Sequence, residues 1–147
     1  MARRGFTLVE MVLVALIMGI LAAIATPTYT RMVERSQLQA GEALLLTIYS
    51  GERAYYLSHN FYQALPSGSS QGTWRSIYTD NPNSSASSPP VEYIVDNVSG
   101  TGSSAVFRAV VTRKRGSCIN RTRTIDQTRA LGFASGTTDW AACPNAQ

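Results

Sequence analysis

One carboxylate stands where a charge is costly. Glu10 heads a stretch, Met11 to Thr30, with no Asp, Glu, Lys or Arg in 20 residues. That is about the length that crosses the hydrocarbon core of a bilayer as a helix. A carboxylate there costs upward of ~2.5 kcal/mol and needs a named partner. The nearest available cation is an α-amine, created if the chain is cut between Gly5 and Phe6, which leaves Glu10 one helical turn from the new N-terminus. In a staggered stack of parallel helices, the amine of an incoming copy meets Glu10 of a copy already in place. The contact neutralises both charges and sets the axial register, so this carboxylate is read as an assembly key.

Other reactive side chains are sparse. Cys118 and Cys143 are the two cysteines, and the single histidine, His59, is distant from both in sequence. Without a CxxC or a third ligand near them, no metal site is expected. In an oxidising compartment the cysteines pair as a disulfide, closing a loop of 26 residues, worth roughly 3 to 4 kcal/mol in loop entropy. Two buried thiols are the alternative. His59 matches no nucleophile motif, no glycine loop cradles phosphate and no carboxylate cluster suits a metal; neither an enzyme nor a cofactor is expected. Between Arg108 and Arg129 lie seven basic residues against one acid, Asp126. Within them Arg113, Lys114, Arg115, Arg121 and Arg123 form a candidate phosphate-contacting set with DNA as the partner, and such binding would weaken steeply with salt. A solvated sheet edge, or pairing with acids of neighbouring subunits, is the competing reading. The formal net charge of +4 falls to about +2 without Arg3 and Arg4, so global charge says little.

These residues need elements to hold them. From Arg31 to about Ser58 the pattern stays helical but becomes amphipathic: Leu38, Leu45, Ile48, Glu52 and Tyr56 recur at three- and four-residue spacings, with Arg35, Gln39, Glu42 and Arg53 on other faces. One long helix follows, its first half in a membrane and its second packed on a globular head. Pro27 kinks or locally melts it, and Gly19 to Pro27 is its weak segment. His59 falls at the helix end. Residues 66–90 read as loop, rich in Ser, Gly, Asn and Pro, with a short apolar piece from Trp74 to Tyr78. Three strands are expected, at 91–98, at 104–113 and within 118–126. In the second, Phe107, Ala109 and Val111 face one way. The class is α+β: a long N-terminal helix on a small antiparallel sheet, with the tail returning to Cys143.

The stretch RRGFTLVEMVLVALIMGILAAIATPTY resembles the class III signal and N-terminal helix of type IV pilins, a motif shared with type II secretion pseudopilins. The resemblance implies a leader at 1–5, a transmembrane and assembly helix at 6–30 and a head at 31–147. It implies a prepilin peptidase that cuts after Gly5 and methylates the amine of Phe6, Glu10 steering subunit addition, and helix loosening at Gly19 and Pro27. The implied partners are copies of the chain in a filament, the peptidase, inner-membrane assembly-platform proteins and the inner membrane before assembly. The head then lies in the periplasm and later in an extracellular pilus serving adhesion, twitching motility or DNA uptake. The tail from Cys118 through TIDQTRALGF and Trp140 to Cys143 resembles the disulfide-closed C-terminal loop of pilins, which many pseudopilins lack. A pseudopilin, a minor pilin acting as DNA receptor, and a singly anchored periplasmic binding domain are the alternatives.

Overall fold

A computed structural model describes residues 7–84 and 89–147. Gly5, Phe6 and the basic pair at 3 and 4 lie outside the described residues, as do 85–88 of the serine-rich loop. Helix α1 (Leu8–His59) runs for 52 residues. Its apolar first half leaves Leu8 to Ile24 exposed, and the span long and apolar enough to cross a membrane has no part buried against the head. In the second half the buried positions include Glu34, Leu38, Gly41, Leu45, Ile48, Glu52 and Tyr55. That alternation of four and three residues keeps one stripe facing the sheet.

The helix continues through Gly19 and Pro27, so the expected weak segment is helical in the single chain. Pro27 removes only the bond that would reach the Ala23 carbonyl. Hydroxyls serve the carbonyls on either side: Thr26 Oγ1 donates to Ala22 O at 2.9 Å and Thr28 Oγ1 to Ile24 O at 3.1 Å, an accommodation typical of apolar helices.

Against the stripe lies an antiparallel meander, β1 (Val91–Ser99), β2 (Val106–Arg113), β3 (Thr122–Asp126) and β4 (Leu131–Gly132), in that spatial order. The third strand, Thr122–Asp126, lies within its expected window of 118–126, the first part of that window, 118–120, forming the preceding turn. Three elements escaped the sequence reading, one of them the 3-10 turn Gly102–Ser104 that delays β2 to Val106. The two-residue β4 has no periodicity to detect. The apolar piece near Trp74 folds as helix α2 (Gln71–Arg75), capped by Ser70, and buries Trp74 completely. The core joins Leu45, Ile48, Leu65, Ile77, Phe107, Val111, Ile125 and Trp140 across helix, loop and sheet. Gly51 is a packing position, since a Cβ there would collide with the Ile77 carbonyl. The tail is stitched to β3 by Trp140 N–H on Thr122 O at 2.9 Å, and Cys118 and Cys143 form a disulfide with Cα atoms 6.1 Å apart.

Candidate assembly site

The head of α1 is built from a local motif. Thr7, in an extended conformation, is the N-cap: its side chain accepts from Glu10 N–H at 3.2 Å, while Glu10 Oε2 accepts from Thr7 N–H at 3.4 Å. This reciprocal capping box satisfies two of the donors left over at a helix start, and the carboxylate also opposes the positive end of the helix dipole. The sequence reading gave Glu10 an intermolecular role and missed this intramolecular one. Thr7-Leu8-Val9-Glu10 before an apolar run is its signature. Glu10 therefore sits at the mouth of the apolar helix with its carboxylate turned toward the backbone of Thr7, next to the expected cleavage point.

A second constellation fixes the helix to the head. The Arg113 guanidinium grips Glu34 at 3.1 and 3.2 Å and donates to Pro90 O at 2.9 Å; its carbon lies 5.7 Å from the centre of the Trp140 ring. Glu34 Oε1 also accepts from Ser117 N–H at 3.1 Å. Both side chains are about 95% buried, so the charges are desolvated, paired and hydrogen-bonded together. Gly116, at φ +96°, closes the turn over the pair, and any Cβ there would meet Glu34 Oε1.

This geometry corrects the basic-patch reading. Arg113 shares the core face of β2 with Phe107, Ala109 and Val111, and it is buried. Arg123 is held by Glu42 at 2.7 Å and Asp139 at 3.0 Å, Lys114 by Glu92 at 2.7 Å, and Arg108 by Asp96 at 2.8 Å. Acids remote in sequence thus neutralise most of the cluster within one chain. Of the five residues proposed to touch DNA, Arg115 and Arg121 alone lack an acidic partner among the described residues, and Arg121 donates to Asp139 O. A phosphate-binding set that includes Arg113 is not formed.

Glu52, on the helix stripe by its spacing, is a buried acid whose environment the spacing did not reveal. It is fully buried; Oε2 accepts from Gln63 N–H at 2.9 Å while Oε1 has no partner among the described residues. Burial raises its pKa from 4.5 to about 7, opposed by the Gln63 hydrogen bond. His59 closes α1, stacked on Tyr55 with ring centres 4.0 Å apart. No group of three or more metal-ligating side chains occurs among the described residues.

Residues 1–26 match the family described as the prokaryotic N-terminal methylation motif. The chain is 36% identical over 59 residues to the type IV major pilin protein PilA of Myxococcus xanthus (strain DK1622), covering 40% of this chain and 27% of that protein. It is 41% identical over 64 residues to the type IV major pilin protein PilE of Neisseria gonorrhoeae, covering 41% of this chain and 36% of the relative. It is 48% identical over 42 residues to the type IV major fimbrial protein FimA of Dichelobacter nodosus, covering 29% and 26%. The chain thus aligns with about a third or less of the length of these relatives. No solved structure matches it.

Proposed function

We propose, for a chain that carries the type IV prepilin N-terminal motif and is similar to type IV major pilins, that it is a structural subunit of a type IV pilus, not an enzyme. It is made as a single-pass inner-membrane precursor with its head in the periplasm. A prepilin peptidase removes residues 1–5 and methylates the amine of Phe6; assembly-platform proteins then draw the subunit into an extracellular filament. The observation that carries this reading is an exposed apolar helix headed by one carboxylate at its cap. Such a surface has two stable environments, a bilayer and a bundle of like helices.

Within that bundle Glu10 exchanges its contact with the Thr7 backbone for the charged amine of an arriving subunit. The charge pair is stronger than the capping bond in an apolar surround. The segment from Gly19 to Pro27 loosens on assembly, where one backbone bond is already missing.

The test separates cap from charge. A capping box accepts Gln as well as Glu at its third position, so Glu10→Gln keeps the helix start and removes only the ionisable group. Expected is a leader correctly removed, as read by mass spectrometry of the membrane fraction, with filament recovery collapsing. Filaments at wild-type yield from Glu10→Gln would refute the ionic pairing. Sheared surface filaments of the parent should contain this chain beginning at N-methylated Phe6.

A further inference from the structure

The head carries a surface aimed at the membrane. Strand β2 runs down the helix: Phe107 lies beside Tyr49 with ring centres 6.2 Å apart, Val111 lies at Gly41, and Arg113 reaches Glu34 at 3.1 Å. From Tyr49 to Glu34 the helix descends about 22 Å, and from Phe107 to Arg113 the strand descends about 20 Å, so the two are nearly antiparallel. The turn that follows, 114–120, therefore continues toward the apolar half of α1. Ser117 N–H is bonded to Glu34, and Gly116 and Ser117 meet Tyr29, Thr30 and Val33 around a cavity of about 200 Å³.

Tyr29 and Thr30 are the last residues of the uncharged run. Twenty residues at 1.5 Å each span about 30 Å, the thickness of the hydrocarbon core, and headgroups add only about 5 to 8 Å per side. When α1 spans a bilayer from Met11 to Thr30, the turn must stand within the headgroup layer. Its chemistry suits that layer. Arg31 on the helix and Arg115 on the turn are exposed and in no ion pair among the described residues, and Ile119 on the turn is 54% exposed. The acids at this end are occupied, Glu34 by Arg113 and Glu92 by Lys114. Arg35 donates to the main-chain oxygen of Gln147 at 2.6 Å.

We infer that the turn 114–120 docks the membrane-held subunit on anionic lipid headgroups, with Arg31 and Arg115 contacting lipid phosphates and Ile119 entering the top of the acyl layer. Membrane proximity and charge complementarity select this occupant. The inference rests on the membrane-precursor reading above. The dock holds the head upright over its helix, and leaving the membrane for the filament breaks it.

The experiment uses the full chain in vesicles of phosphatidylcholine, alone or mixed with phosphatidylglycerol, with bromine on the upper acyl chain. Trp74 and Trp140 are fully buried, which shields them from the quencher, so Ile119→Trp supplies a reporter. Expected is a blue-shifted, quenched emission that strengthens with anionic lipid. Arg31→Gln with Arg115→Gln should lower the docked-to-free ratio in anionic vesicles roughly thirtyfold. Hydrogen exchange at 114–120 in the unsubstituted chain should slow in parallel, guarding against disturbance by the new tryptophan. Equal quenching and exchange whatever the lipid charge, or relief of quenching by millimolar inorganic phosphate in neutral buffer, would overturn headgroup docking. A chain that fails to float with the vesicles would overturn the membrane reading and this inference with it. One that floats with an unprotected turn overturns only the inference.

Discussion

Glu34 and Arg113 meet across 79 positions of sequence, and removing either strands the other in a dry site. Glu34→Gln or Arg113→Leu alone should cost about 3 to 5 kcal/mol, while an apolar pair of matched volume at both positions costs much less. Urea unfolding of the three variants reads this difference directly. Glu52 gives a pH test. Its pKa lies at about 7 in the folded chain against 4.5 ordinarily, so folding takes up a proton between those values. Below about pH 4.5 the carboxyl is neutral in both states and imposes no penalty; as pH rises through 7 the folded state loses of order 3 kcal/mol from this group. Glu52→Gln keeps an acceptor for Gln63 N–H and does not titrate. It should raise the melting temperature at about pH 8, change little near pH 4.5, and flatten the slope between.

At the scale of elements, two glycines of one helix separate by their surroundings. Gly51 lies against the Ile77 carbonyl, so Gly51→Ala must push α1 from the segment after α2 and should destabilise by about 1 to 3 kcal/mol. At Gly19 a Cβ would meet nothing within 4 Å, and Gly19→Ala gains up to about 1 kcal/mol of helix propensity. If assembly loosens Gly19 to Pro27, filaments of Gly19→Ala should resist extension in a pulling measurement while the head melts unchanged. Thr7→Ala removes the cap hydroxyl, a loss of about 1 kcal/mol at the helix start, without touching the charge on Glu10. Its filaments should form at reduced yield, in contrast to the collapse expected of Glu10→Gln.

The whole molecule is a lever: a slender apolar helix whose far end is wedged into a small head. The head is tied at three places, the Glu34–Arg113 pair at the membrane end, the Leu45–Ile48 core in the middle, and the Cys118–Cys143 disulfide that holds the tail to the β2–β3 turn. Opening the disulfide with Cys118→Ser and Cys143→Ser should cost about 2 to 5 kcal/mol. Because Cys118 belongs to the turn inferred to face lipid, the same variant should also speed hydrogen exchange at 114–120. Unchanged exchange there would mean that the Glu34 contacts alone order the turn.

The bilayer-length run, the carboxylate at its head and the amphipathic continuation were all legible in the sequence. Each is a short-range pattern imposed by helical period and by the cost of charge in an apolar medium. The sequence also carried two signals that went unread: the parity of Arg113 with Phe107, Ala109 and Val111, and the capping box at Thr7. What the tertiary structure alone decided was which acids meet which bases. A run of seven cations reads as a free positive surface only while Glu34, Glu42, Glu92, Asp96 and Asp139 are counted apart from it. Folding brings each of these acids within 3.1 Å of a base; at Glu34–Arg113 burial demands the pairing, because buried charge is tolerated only when paired, and no local pattern records a partner so remote in sequence.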